Sequence, residues 1–324
     1  MRRCGFTISL MFCLLITMSG VQAQPIKIGV IHLLERPDFT LLRESFLDEL
    51  NKKGYMVEVT TFNADSAMYS DTYPQRAAEE AQRMEAAGVQ LIYCIATYHG
   101  VAQANLKIPV VDGMMFSPDL LKLATVKDDG KMYCIGNATG VLFGYSFKDI
   151  VAFARETLPD AKKMAYLYNP HSPVSRPLIE IEKEANPAGF EIVGREFTTK
   201  DEALSAIKEA VTNTQIAFIT NDFGALGAEK PVIEFADANN YPLIVGIMRL
   251  VGENGVIAGI QYNWERAGRI SAGKADQILK GTPANTIPLE YSDQFEIQLN
   301  LKNAAKLGIE IPYIWIESAT NVIE

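Results

Sequence analysis

The chain has 324 residues, 48% hydrophobic and 21% charged, with 39 acidic side chains against 30 basic ones and a formal net charge of −9. An acidic balance of that size argues against nucleic acid and anionic membrane surfaces as partners. The length is at the limit of one hydrophobic core and favours two domains.

At the N-terminus Arg2 and Arg3 precede a mostly apolar run from Gly5 to Met18, and Val21-Gln22-Ala23 sets small residues at the −3 and −1 positions of a cleavage site. Charge, core and cleavage site predict a secretory signal peptide cut after Ala23, because the run is shorter than the ~20 residues that cross a bilayer. Removing residues 1–23 leaves 301, and the loss of two arginines and no acid takes the formal charge to −11. Cys13 follows Phe12 rather than a small residue, so no lipid anchor is read. Cys94 and Cys134 stay in the mature chain. An exported protein can join such a pair; the reading adopted is two buried free thiols.

From Ile26 the pattern alternates strand and helix. A strand over Ile26–Ile31 leads to an amphipathic helix, Asp38–Lys53, with Leu42, Phe46 and Leu50 on one face. A strand Tyr55–Phe62, a polar surface loop Asn63–Pro74 and a helix Gln75–Ala87 follow. The apolar run beginning at Gln90 reads as a buried parallel strand. It breaks at Ala96-Thr97-Tyr98-His99-Gly100, before a short helix over Val101–Leu106 and a Pro-led strand to Val111. Met114 to Pro118 is read as ending that strand and starting a short helix, Asp128-Asp129-Gly130 as a tight turn, and Gly136–Gly140 as a flexible polar junction before a long helix, Val141–Leu158.

The pattern then returns. Lys163–Leu167, a helix, a strand after Gly189-Phe190, the helix Asp201–Val211 and the strand Gln215–Ile219 lead to the turn Asn221-Asp222-Phe223-Gly224, a further helix and a Pro-led strand to Val245. After the Asn254-Gly255 turn come a strand Val256–Ile260, the segment Gln261–Glu265 and a helix Arg266–Leu279 closed by Lys280-Gly281. Strands Pro288–Tyr291 and Phe295–Leu299 and a helix Leu301–Leu307 finish the chain.

One β-α-β-α-β-α-β unit is therefore present twice. It predicts an α/β protein of two Rossmann-like lobes, each a parallel sheet flanked by helices, with the turn after each third strand facing a shared cleft. The division read is 24–139 plus part of 262–290, and 140–261 plus part of 291–324. Short joining segments near Ala138–Val141, Ile260–Asn263 and Tyr291 are the expected hinges.

Candidate site residues follow from that cleft. Thr97 and the N–H groups of Tyr98 and His99 offer a carboxylate site at a helix start, or Thr97 is an ordinary cap. Asp222 suits a ligand ammonium and Asn221 a hydrogen bond to it, or they too cap a helix. Tyr98, Phe116, Phe223, Tyr262 and Trp264 are either pocket walls or core. His32, His99 and His171 stand at strand ends without metal-ligand spacing. No Gly-x-Ser-x-Gly, His-Glu-x-x-His or Gly-rich phosphate loop occurs, so the sequence carries no enzyme or cofactor signature.

Several stretches together resemble the substrate-binding proteins of ABC transporters in the tryptophan/tyrosine-type group, which have a type I periplasmic-binding architecture. Leu158-Pro159-Asp160-Ala161-Lys162-Lys163 with Tyr166-Leu167-Tyr168-Asn169-Pro170 is similar to the family's entry into its second lobe. Lys280-Gly281-Thr282-Pro283-Ala284 with Ile287–Tyr291 resembles its return segment, Asn300–Ile309 its terminal helix, and Glu35-Arg36-Pro37-Asp38 its first loop. The resemblance implies a monomeric periplasmic receptor that closes on a small ligand and delivers it to an inner-membrane permease. It carries the ligand contacts over to Glu35, to Ala96-Thr97 and to Asn221-Asp222. Tyr98-His99 after Ala-Thr, Gln261 before Tyr262, and Gly113–Asp119 depart from the family pattern. The resulting expectation is an amino acid, possibly aromatic, bound between the lobes of an importer's receptor. A sensor that presents a small molecule to a membrane receptor is the alternative, and an exported enzyme the least favoured.

Overall fold

Apolar central strands that alternate with helices need cover on both faces, and the chain provides it in two mainly parallel sheets. The computed structural model describes residues 24–64, 72–116, 118, 119, 121–145, 147–170, 182, 189–220 and 227–324. The expected signal peptide, His171 and the Asn221-Asp222-Phe223-Gly224 turn lie outside them.

The strands of the first half are β1 (Ile26–His32), β2 (Val57–Asn63), β3 (Leu91–Ile95), β4 (Val110–Met115), β5 (Ala124–Val126), β6 (Met132–Cys134) and β7 (Ala138–Leu142). Those of the second are β8 (Lys163–Tyr168), β9 (Glu191–Glu196), β10 (Ile216–Ile219), β11 (Leu243–Val245), β12 (Val256–Tyr262), β13 (Glu290–Tyr291), β14 (Phe295–Asn300) and β15 (Asn321–Ile323). The first sheet runs β2-β1-β3-β4-β7-β13 with every pair parallel. The second runs β9-β8-β10-β11-β12-β14-β15, with β14 antiparallel to β12. Four strands of each sheet thus follow the same order, second-first-third-fourth, which is the repeat read in the sequence. A small antiparallel hairpin, β5-β6, turns at Asp129-Gly130.

Helices α1 (Pro37–Lys52), α2 (Tyr73–Ala86), α3 (Tyr98–Val101), α4 (Phe147–Thr157), α5 (Lys200–Asn213) and α6 (Glu229–Ala238) connect the strands. They are followed by α7 (Trp264–Leu279), α8 (Leu301–Lys306) and α9 (Tyr313–Ser318). Pro37 opens α1, where its missing N–H is no loss, and Leu42, Phe46 and Leu50 on its inner face are fully buried. Asn263 caps α7 by accepting the Arg266 N–H at 2.8 Å. Thr199 and Glu202 form a capping box on α5. No described helix is long and apolar enough to cross a membrane.

Two readings of the sequence are corrected. β4 does not break at Met114 but continues through Met115, with an irregular register between Asp112 and Met115. Gly136–Gly140 is not a junction, since Ala138–Leu142 is a fully buried strand of the first sheet. α4 accordingly starts at Phe147, not Val141, and the chain leaves the first sheet after Leu142. It returns between β12 and α7, which packs on α1, β4 and β7, and leaves again between β13 and β14. The hinge expected at Ala138–Val141 therefore falls within a strand. Among the described residues, Cys94 and Cys134 are free and buried.

Candidate functional site

Strands of a parallel sheet end along one edge, and ligands of open α/β folds lie against that edge. Here the ends of β4, β7 and β12 meet the starts of α1 and α7 through aromatic rings. Phe143, just after β7, is 5.4 Å from Phe116, just after β4, and 5.1 Å from Tyr262, the last residue of β12. Trp264, the first residue of α7, is 5.2 Å from Tyr262, 6.0 Å from Phe143 and 6.1 Å from Phe39 of α1. These separations, with tilted or edge-on planes, are the ones that aromatic pairs favour, and all five rings are buried.

The cluster also binds the two sheets together. Tyr262 donates its hydroxyl to the Gly113 carbonyl at 2.6 Å, fastening the end of β12 to β4. Tyr145 sits edge-on to Phe143 at 5.6 Å and to Phe218 of β10 at 5.1 Å. Its ring fits because residue 246 is glycine: a Cβ there would lie 2.5 Å from the Tyr145 ring.

Behind the rings stands a buried carboxylate. Asp112 Oδ2 accepts the Tyr98 N–H at 3.1 Å, and Oδ1 accepts the Met114 N–H at 2.7 Å. Burial raises its pKa to about 6, while the backbone N–H groups of Met114, Tyr98 and Ala96 pull the other way. The sequence reading gave the Tyr98 amide to a ligand carboxylate. In the structure that amide is taken by Asp112, whose ionised form would repel a second anion. The Thr97 hydroxyl donates to the Ile31 carbonyl at 2.8 Å and makes no cap for α3. Thr97 thus pins the end of β3 to β1.

Ala96 has φ of +61°, a left-handed conformation uncommon for a residue with a Cβ and found most often where a site constrains the backbone. It packs in the same cluster as Phe116 and Tyr262. Tyr98 does not. Its ring joins Cys94, Val101 and Cys134 in a separate cluster and lines a flank groove with Leu123 and Ala138. Burial and the Cys134 thiol raise the pKa of its hydroxyl, and burial pushes the Cys134 thiol up to about 12. A thiol so protonated is a poor nucleophile.

Of the other expected residues, Glu35 is exposed in the loop after β1, 3.2 Å from His32 Nε2 and 3.7 Å from Arg43. His99 is exposed on α3. Gln261 donates to Glu296 at 2.9 Å and accepts the Met248 N–H at 3.4 Å, linking β12 to β14. Asn221, Asp222 and Phe223 lie outside the described residues. The structure thus brings together Ala96, Phe116, Tyr262 and Trp264, and adds Phe39, Asp112, Phe143 and Tyr145. The sequence carried signals for the additions: an acid inside the run Val110-Val111-Asp112-Gly113-Met114, and aromatics at alternate positions in Phe143-Gly144-Tyr145. Among the described residues, no group of three or more His, Cys, Asp or Glu side chains could hold a metal ion.

Two repeated parallel sheets, joined by three crossings and meeting at an aromatic edge, define a two-sheet binding protein with a type I periplasmic-binding fold. The chain belongs to the ABC transporter substrate binding protein family, whose profile matches residues 27–323. A tyrosine-binding protein of Clostridioides difficile is 24% identical over 281 residues, spanning 85% of this chain and 78% of that one. A Streptococcus pneumoniae ABC domain in complex with L-Trp superposes with a TM-score of 0.74 at 21% identity, covering 93% of this chain and all of that one. The ligand-free, open structure of a Clostridium difficile substrate binding protein with adhesive properties also gives 0.74, at 23% identity, covering 92% of this chain and 99% of that one. At these identities the solved structures speak for the fold.

Proposed function

We propose that this protein is the periplasmic receptor of an ABC importer, exported with cleavage after Ala23, and that it closes on one aromatic amino acid for delivery to an inner-membrane permease. The lobes are taken as the two sheets with their helices, the first including α7 and β13, the second beginning at α4. The observation that carries the reading is the ring cluster Phe39, Phe116, Phe143, Tyr262 and Trp264 at the strand ends. Ligand pockets are mostly apolar, with a few polar anchors, and rings stack well on rings. A related protein named for tyrosine binding and a like-folded protein solved with L-Trp support the same class. Asp222 with Asn221 remains the assignment for the ligand's ammonium, and Glu35 is a second anionic partner.

The test is a thermal-shift screen of the mature chain against the amino acids, related carboxylates and sugars. Ligand at about 100 times its Kd adds ~2.7 kcal/mol of apparent stability, a rise of several degrees for a protein of this size. Aromatic amino acids are expected to raise the melting temperature of the wild type, and to do so less in Asp222→Ala. A shift from sugars with none from any amino acid would refute the reading.

A further inference from the structure

Buried indole N–H groups ordinarily find an acceptor. Trp264 is 4% exposed, and its Nε1 has no hydrogen-bond partner among the described residues. Its neighbours explain why. Phe39 and Phe143 offer only ring carbon, and the Tyr262 hydroxyl, which donates to the Gly113 carbonyl, accepts nothing from the indole. Trp264 also stands where the chain crosses from β12 of the second sheet to α7 on the first, beside the first turn of α1. The donor is therefore held at the strand ends, within the apolar cluster to which an aromatic ligand was assigned above.

Resting on that assignment, we propose that Trp264 is a specificity-determining residue that donates its indole N–H to an acceptor atom on the ligand's ring. The ligand class narrows accordingly. A phenol oxygen accepts a hydrogen bond, a phenyl ring offers no lone pair, and an indole N–H is a donor only. The receptor favours an aromatic amino acid with a ring hydroxyl over one without. The discrimination arises because a ligand lacking the oxygen leaves the buried N–H unmatched, the situation in which polar sites reject their analogues.

Calorimetric titration of refolded, ligand-stripped protein with L-tyrosine, L-phenylalanine and L-tryptophan reads this directly. A neutral hydrogen bond is worth ~0.5–1.5 kcal/mol, so L-tyrosine is expected to bind about two- to tenfold more tightly than L-phenylalanine. Trp264→Phe keeps a ring and deletes the donor; in it the ratio should fall to near one, mainly through weaker tyrosine binding. Equal affinities in the wild type overturn the proposal whether or not the variant folds, and so does an unchanged ratio in Trp264→Phe. If none of the three aromatic amino acids binds the wild type, the proposed function itself fails, and this inference with it.

Discussion

Asp112 is a carboxylate held where carboxylates are rarely found, inside the first sheet. It is fully buried and its described bonds are all to backbone N–H groups. The titratable side chains coupled to it are Tyr93 and Cys94 of β3, Tyr98 of α3, Cys134 of β6 and Tyr262 of β12. With its pKa raised from 3.8 to about 6 in the folded state, the folded protein binds the proton more tightly than the unfolded chain does. Its stabilising effect is fully present below pH 3.8 and is lost as pH rises through about 6. The difference corresponds to ~2–3 kcal/mol. His32, whose pKa burial lowers, works in the opposite direction but is common to wild type and variant. Urea unfolding of wild type and Asp112→Asn at pH 7 and pH 4.5 should show the wild type gaining on the variant as pH falls. A wild-type-minus-variant stability that stays constant, or moves against the wild type as pH falls, would remove the raised pKa.

At the scale of elements, the helix pair α1–α7 fixes where the aromatic edge stands. Gly268 makes the close approach possible: a Cβ there would lie 2.6 Å from the Leu42 carbonyl oxygen and 2.8 Å from the Ser45 Cβ. Backbone cannot step aside as a side chain can, so Gly268→Ala must push the helices apart. Overpacking of this kind costs about 1–3 kcal/mol, and a lower urea midpoint is expected. Because Trp264 lies one turn before Gly268, on the proposed function affinity for an aromatic amino acid should fall as well; an unchanged midpoint would mean the helices are not locked there.

The same scale explains what the sequence conceals. The central strands β3 and β10 were legible because each is a fully buried apolar run followed by a polar turn. β7 was not, because its residues are small for a packing reason that resembles a loop: Gly140 lies directly against the Asp112 carbonyl, and the Thr139 hydroxyl donates to the Ile287 carbonyl at 2.9 Å. The aromatic edge was half legible. Phe116, Tyr262 and Trp264 stood out by type, but Tyr98 did too, and only the left-handed turn at Ala96 and the Asp112 bond to its amide decide that its ring joins the flank cluster. Phe143 and Tyr145 were absorbed into a helix that starts four residues later, at Phe147.

On the scale of the whole molecule, the sheets are joined by the crossings between Leu142 and Phe147, at Asn263 and at 292–294, all short. Such segments suit a hinge, and closure follows when the ligand binds the closed form more tightly than the open one. On the proposed function, the aromatic edge supplies that difference, since Tyr262 belongs to β12 of the second sheet while Phe39, Phe116 and Trp264 stand on or next to elements of the first. Small-angle scattering on the mature, ligand-stripped chain tests this most directly, with and without L-tyrosine at a saturation verified by calorimetry. The account predicts one ligand per chain and a smaller radius of gyration in the bound state. Superimposable curves at saturation, or failure of every aromatic amino acid to bind, would contradict it.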